Sequence, residues 1–553
     1  MRALRAMASS WLLLAPVAAA GPVPAKEDAV LDAMSVEMKR NLGKLRQDEF
    51  GPPYFLAYRL VDGRRWEATA QQGALYSETE EDSRTAYVEA RFGDRAFDNV
   101  DLSYHGFYGP ASRDPEALKQ SFWLLTADAY RGALSAYLEK KAKTATEFES
   151  DELDDFTAEK PVVAVEPAPP PRDERERLRP LLERLSRVFR SYPDAHDAQV
   201  SVTWTWSRRF LVTSEGTRLA TPFENAPHEI RAWAVTRAED GMRLDSSAYL
   251  ALDSFDAPGL EARAEAEVRR VAEEVTRLRR APVQEAAAAP AILDPEMTGV
   301  LFHEALGHKL EGQRQRDPRE SQLFRDQVGK PILPAFLSVS DDPTMESWGG
   351  TRLHGSYRYD SEGVPARRVS LVERGVLREF LMSRWPVKGF DRSNGHGRAD
   401  ARTHPTGRMG NLVVEAHDPV PVAELERRLR AELARTGKPY GFLLVGSSGG
   451  ENPTNRESPQ TLEVRPRLTY RVDRDGRRTL VRGVKLVGTP LVLLNRIVAA
   501  GDDAALANGF HCGAESGWVP VSQIAPSVLV SEVELQRLPE DRARPPVVPH
   551  PFR

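Results

Sequence analysis

The stretch Gly299-Val300-Leu301-Phe302-His303-Glu304-Ala305-Leu306-Gly307-His308-Lys309-Leu310-Glu311-Gly312 constrains this chain more than any other. Apolar residues lead into it, and two imidazoles and a carboxylate then arrive together at His303, Glu304 and His308. Those residue types make a hydrolytic zinc site, in which neutral imidazoles hold the ion and a carboxylate takes a proton from water. The spacing is HExxxH, one residue longer than the common HExxH. On a regular helix positions i and i+4 share a face, whereas i and i+5 point roughly 140° apart. His303 and His308 therefore reach one ion only if the helix bulges or unwinds by a residue. Gly307 is the residue type that permits this, and a π-like bulge or a broken turn is predicted at about residues 305 to 308. The other reading of the stretch is an amphipathic helix with two unrelated histidines.

The chain holds a single cysteine, Cys512, within Gly509-Phe510-His511-Cys512-Gly513-Ala514-Glu515-Ser516-Gly517-Trp518-Val519-Pro520-Val521. A lone cysteine is most often a small buried hydrophobe. Here the flanking glycines let the backbone approach closely, and a thiolate at Cys512 is a candidate third zinc ligand. Glu311 lies three residues after His308, on the same side of a helix. It is a candidate either to orient that imidazole from behind or to replace Cys512 as ligand, and spacing alone does not choose.

Together the two stretches resemble the TldD/PmbA family of metallopeptidases. Catalytic members carry a HEAxGHxLEG-type helix, here His303 to Gly312. They also carry a C-terminal segment that opens with Cys-Gly and ends in Val-Pro-Val, here Cys512 to Val521, with Ser516 where a family glycine is expected. Tyr359-Asp360-Ser361-Glu362-Gly363-Val364-Pro365 is similar to the family's D-x-E-G-x-P turn, and Arg408-Met409-Gly410-Asn411 to its RMxN segment. The resemblance covers roughly residues 180 to 535. It implies that His303, His308 and Cys512 are Zn²⁺ ligands and that Glu304 is the catalytic acid/base. It also implies cleavage of short or unfolded peptides in an enclosed cavity, and assembly as a homodimer or as a heterodimer with a family relative. One branch of the family lacks the HExxxH residues and is non-catalytic; this chain keeps them. A non-enzymatic reading also stands, a zinc-stabilised scaffold or partner subunit in which Glu311 or His511 supplies a fourth ligand.

The length of 553 residues predicts two or more domains with ample core, and 41% hydrophobic with 28% charged residues is ordinary for a globular protein. A net charge of -5 carries no basic excess, which argues against nucleic acid as the main partner. Residues 1–20 read as a secretory signal: Arg2 and Arg5, an apolar run from Trp11, then Val17-Ala18-Ala19-Ala20. Export, to a periplasm, is the expectation; no other apolar stretch is long enough to span a bilayer. In an oxidising compartment one cysteine cannot form an internal disulfide, and zinc ligation would give a free thiol a reason to be there.

The predicted fold class is α+β. Residues 21–143 form a helix-plus-antiparallel-sheet unit, with strands at Tyr54 to Val61 and Trp66 to Gln71, and with Asp62-Gly63 and Gln72-Gly73 as turns. Residues 144–175, acidic and then proline-rich, read as a linker or surface-wrapping segment rather than a core element. Residues 176–293 form a second unit that looks like a diverged repeat of the first, with Arg64 to Leu75 aligning on Arg208 to Leu219. Different strand orders in the two units would remove the repeat. Gly259 to Arg280 reads as a charged amphipathic helix, and Asp294 with Pro295 as the start of the metal-site helix. Residues 294–535 are predicted to be a β-rich, barrel-like or sandwich-like catalytic domain carrying the HExxxH helix, with Cys512 in a loop entering a late strand, and 536–553 a proline-rich tail. His354, His396, His404 and His511 sit in Gly- or Pro-containing loops and read as surface or cleft residues.

Overall fold

The computed structural model describes residues 29–47, 50–101, 104, 106–144, 153–167, 172–222, 228–457, 461–538, 548, 550 and 551. The secretory signal read in residues 1–20 and most of the 536–553 tail lie outside the described residues. The predicted α+β class is the observed one.

In the N-terminal half, α1 (Ala29–Lys44) leads into β1 (Phe55–Gln71), β2 (Ala74–Arg91), β3 (Phe107–Pro110) and α2 (Pro115–Thr144). After β4 (Val163–Val165), α3 (Arg175–Arg187) leads into β5 (Asp197–Thr213), β6 (Arg218–Pro222), β7 (His228–Arg237), β8 (Arg243–Leu252) and α4 (Leu260–Arg280). The two units share one eight-stranded sheet, joined where β1 and β5 run antiparallel. β2 pairs with the whole of β1, while β6 and β7 pair with the two ends of β5 and so divide the same role between them. The path β1–β2–β3 of the first unit thus has a counterpart in β5–β7–β8 of the second, which adds β6 and, beside it, β4. The offset that aligns Arg64 with Arg208 also aligns Gly63 with Ser207, and those two residues face each other across the β1–β5 ladder.

Gln72-Gly73 is a hairpin turn, with φ of 51° and 85°. Asp62-Gly63, by contrast, is no turn: β1 runs straight through it because both its edges are paired, and Gly63 lies between Ser83 and Ser207. The pleat then sorts the side chains by parity. Leu56, Tyr58, Leu60, Trp66, Ala68 and Ala70 of β1 all point to the helices, half of them into the core under α1 and α2 and half into the core under α3 and α4. Phe55 and Ala57 point the other way and meet Leu211, Phe156 and Tyr359 at the junction with the C-terminal region.

Phe156 corrects the reading of residues 144–175 as a connector outside the core. It is 1% exposed, held between the guanidinium groups of Arg91 and Arg384 at 3.7 and 3.8 Å from its ring centroid. Its neighbour Asp155 accepts from Lys140 and Arg316, and β4 adds to the sheet beside β6. A proline-rich, acidic composition hid one aromatic that bridges both halves of the molecule.

The C-terminal half contains a closed ring of five strands: β9 (Ala287–Leu293), then β13 (Tyr440–Glu451), β14 (Leu462–Asp473), β15 (Val484–Gly488) and β18 (Val528–Arg537), with β13 and β14 pairing to complete it. Beside it lies an open six-stranded sheet that includes β10 (Leu337–Asp341), β11 (Val369–Glu373), β12 (Asn411–Ala416), β16 (Ala505–Ala514) and β17 (Gly517–Ala525). The region is thus a barrel with a second sheet. Between the two, α5 (Pro295–Phe302) shares one buried core with both. Its start is as predicted: Asp294 accepts the Met297 N–H at 2.8 Å and the Gly446 N–H at 2.9 Å, with Pro295 at the first helical position. Cys512 lies within β16 itself, not in a loop before it; the loop is the turn into β17, where Gly517 has φ 83°.

Replacing Phe156 by alanine should lower unfolding stability by about 3–5 kcal/mol, the cost of emptying a buried aromatic position, with the loss read from the denaturant midpoint. A change within about 0.5 kcal/mol, as for a surface site, would show that the segment merely covers the surface.

Candidate metal centre

α5 does not end at Phe302. It passes into a π-helical turn over His303–Gly307 and then a 3-10 turn over His308–Leu310. The added residue is absorbed where the predicted bulge required, starting two positions earlier, and His303 and His308 consequently converge. His303 Nε2 is 3.1 Å and His308 Nε2 3.3 Å from Cys512 Sγ. One ligand atom from each of the three residues lies within 4.8 Å of the others, and all three are buried.

Gly307 serves this turn by size rather than by unusual backbone. Its φ and ψ, -53° and -57°, are ordinary helical values, but an added Cβ would lie 2.1 Å from Met409 Sδ. The helix is pressed against Met409, and only a residue without a side chain fits.

Glu311 is placed behind the cluster. Its Oε1 meets His308 Nδ1 at 2.9 Å, so His308 presents Nε2 to the sulfur. Of the two roles left open for Glu311, the geometry matches that of orienting His308, not that of replacing Cys512. The other carboxylate oxygen accepts from Arg314 Nε at 2.8 Å. Burial disfavours the charged carboxylate, yet Arg314 foremost and then His308 hold Glu311 at about 2. Burial likewise works against the His308 imidazolium, but Cys512 and Glu311 push its pKa well above the usual value. The Cys512 thiol is treated in the same way: burial alone would raise it, while His308, Arg408 and His303 bring it well below its ordinary range. The surroundings therefore favour thiolate, the form that binds metal.

Arg408 and Arg314 escaped the sequence reading as parts of the centre. Arg408 is fully buried and donates to Cys512 O at 2.6 Å, Ser516 Oγ at 2.8 Å and Gly517 O at 3.1 Å, and its Nε lies 3.5 Å from Glu311 Oε1, which links the β16–β17 turn to the segment after His308. Ser516, where a family glycine was expected, thus has a partner of its own. Arg314 reaches Glu311, Glu320 and Glu515. Only the RMxN resemblance pointed near Arg408; nothing in the sequence says which distant carbonyls a buried guanidinium will meet.

The three donors open onto a cleft of about 750 Å³, within the range of ligand sites. Glu304, partly exposed, lines it with His303 and His308. The opposite walls are residues 449–455 and the edge strand around Phe510 to Ala514. His511 also lines the cleft. Three other histidines depart from the surface-or-cleft expectation. His396 is wholly buried, with Nε2 3.1 Å from Asp341 Oδ1. His404 is buried against Glu89 and edge-on to Tyr104. His354 is buried too, and burial pulls its pKa to about 4.

The donor set fits zinc. Two imidazole nitrogens and one thiolate are borderline-soft ligands, and a tetrahedral ion with bonds of about 2.0–2.3 Å would space nitrogen and sulfur by about 3.5 Å, close to the observed 3.1 and 3.3 Å. The chain is thus an α+β protein with a buried His-His-Cys group that could hold a metal at a cleft. Residues 286–537 match the PmbA/TldA metallopeptidase C-terminal domain, and in that part the chain is similar to the family. A metalloprotease of Methanocaldococcus jannaschii is 31% identical over 231 residues, 42% of this chain and 47% of that protein. A zinc metalloprotease TldD homolog of Saccharolobus solfataricus is 28% identical over 248 residues, 44% of this chain and 51% of that one. The chain spans about half the length of these relatives. TldE from Thermococcus kodakarensis shares the fold, with a TM-score of 0.57 at 16% identity over 92% of this chain and 100% of that one.

Gly307→Ala should cost about 1–3 kcal/mol of stability through overpacking and weaken zinc binding in a chelator competition. Adding Met409→Ala should make the double variant less impaired than the sum of the two single losses. Strict additivity would mean that the two residues do not press on each other.

Proposed function

We propose that the chain is a zinc-dependent peptidase that hydrolyses peptide bonds in short or unfolded peptides. The observation that carries this reading is the convergence of His303, His308 and Cys512 at the floor of an open cleft, with Glu304 on its wall. His303 Nε2, His308 Nε2 and Cys512 Sγ would hold Zn²⁺. Bound there, the ion supplies Lewis acidity, which lowers the pKa of water toward about 7 and polarises a carbonyl. Glu304 then takes the proton from the attacking water and returns it to the leaving amine. Glu311 keeps His308 in the tautomer that offers Nε2, and Arg314 keeps Glu311 ionised.

A cleft of about 750 Å³ is of the size that takes a short peptide segment rather than a folded domain, which supports short or unfolded peptides as the substrate class. The alternative, a zinc-stabilised scaffold or partner subunit, needs a fourth protein ligand. Among the described residues no fourth His, Cys, Asp or Glu joins the three: Glu311 lies behind His308 on its other nitrogen. Dimerisation with a second copy or a family relative, and export to a periplasm directed by residues 1–20, complete the proposal. Among the described residues no helix is long and apolar enough to cross a membrane.

Hydrolysis of a mixed library of unstructured peptides tests the assignment. Glu304→Gln should lose about 10²–10⁴-fold in rate, the usual contribution of a general acid/base, at unchanged zinc content. Cys512→Ser should lose the metal as well. Parent-like hydrolysis by Glu304→Gln, or none by the zinc-loaded parent, would overturn it.

A further inference from the structure

Residues 452–454, just beyond β13, run along the metal helix as a strap. Asn452 Nδ2 donates to Glu304 O at 2.7 Å, Pro453 O accepts from Lys309 Nζ at 2.9 Å, and Thr454 Oγ1 accepts from Arg314 Nη1 at 2.8 Å. Three consecutive residues thus hold successive turns of the segment that carries the metal donors. The first of them touches the π-turn itself.

In a regular helix the Glu304 carbonyl would accept the N–H of residue 308. Here the His308 N–H goes to the His303 carbonyl instead, so the added residue takes from Glu304 the partner it would otherwise have. A helix carbonyl that loses its N–H partner needs another donor. The Asn452 amide supplies the missing donor. A carbonyl only accepts, so the Asn452 amide must turn its Nδ2 toward it. Asn452 is 8% exposed, and its Oδ1, turned away, is buried with no partner among the described residues. The side chain tolerates that unmatched oxygen, and the bond to Glu304 offsets it. The end of β13 that leads into the strap is equally close: a Cβ on Gly450 would lie 2.8 Å from Glu304 Cγ and 3.1 Å from Val300 Cγ1.

We propose that Asn452 is a positioning residue whose amide N–H, bonded to the Glu304 carbonyl, holds the π-turn open by one residue and so keeps His303, His308 and Glu304 in register with Cys512. The proposal rests on the reading of His303, His308 and Cys512 as a metal site. Without the bond the Glu304 carbonyl is driven to recover the His308 N–H. The turn then tightens toward α geometry, in which i and i+5 diverge by roughly 140°.

Binding of Co²⁺ alone to the purified full-length chain tests this, read from the thiolate-to-cobalt absorption band. Asn452→Asp keeps the side chain's size and removes the donor; Asn452→Ala removes both. Each should weaken Co²⁺ binding by about 10–100-fold, the range for partners that orient metal ligands, and diminish the thiolate band at saturation. In the zinc form each should reduce kcat more than it changes KM. Parent affinity and spectrum in Asn452→Asp would overturn the proposal. Failure of both variants to fold, seen by circular dichroism, would overturn it too, because Asn452 would then support the whole domain. No Co²⁺ binding by the parent would remove the metal site and this proposal together. Co²⁺ binding by a parent that cleaves no peptide would remove only the peptidase reading, with the affinity comparison still deciding the role of Asn452.

Discussion

One extra residue in a helical turn governs the arrangement of the whole centre. A regular helix would send His303 and His308 in different directions; five residues of π-helix bring them to the same sulfur. A π-turn is a poor structure by itself, since it misaligns backbone hydrogen bonds and widens the helix. Its persistence here follows from what surrounds it: the Asp294 cap fixes where the helix begins, Met409 presses on Gly307, and the strap at Asn452 collects the displaced carbonyl. The barrel and the second sheet provide those three anchors from widely separated parts of the chain.

Charge is organised on the same plan. The cluster and its supports are buried, where an unpaired ion would be expensive, yet Glu311, Arg314, Arg408 and the Cys512 thiol all stay in their charged forms because each stabilises another. Arg408 contributes twice, through its charge and through its bonds to the backbone of the turn after Cys512. The thiol is therefore both electronically prepared and mechanically fixed. The same guanidinium explains why the turn accommodates Ser516 without losing its path: the hydroxyl accepts one of the Arg408 donors.

Much of this was legible in the residues. Counting positions between His303 and His308 sufficed to require a bulge, and Asp294-Pro295 and Gln72-Gly73 announced a helix start and a hairpin through chemistry that acts within a few residues. The misreadings share a cause, which is tertiary context overriding local preference. Asp62-Gly63 has the composition of a turn, but strands on both sides draw it into a ladder. Phe156 lies in a polar, proline-rich neighbourhood that gives no sign of two arginines from elsewhere closing on its faces. Cys512 is flanked by glycines that suggest a loop and is nonetheless paired with Val519 in a hairpin. Asn452 was beyond reach, because an asparagine in a Gly- and Pro-containing stretch says nothing of a carbonyl 148 positions earlier.

The junction between β1 and β5 limits how this molecule can be divided. Residues 286–537 match the family's domain and carry all three candidate metal donors, which invites treating them as a free-standing piece. β5, however, has both its edges engaged, by β1 on one side and by β6 and β7 on the other, and its face away from the helices is joined to the C-terminal half through Arg209, which donates to the Tyr359 carbonyl at 2.8 Å. A cut between the two N-terminal units would part the β1–β5 ladder and bare a long row of unsatisfied amides and carbonyls, the kind of surface that recruits other chains. Modularity in the sequence thus does not carry over to the folded N-terminal half, whose two units behave as a single inseparable slab.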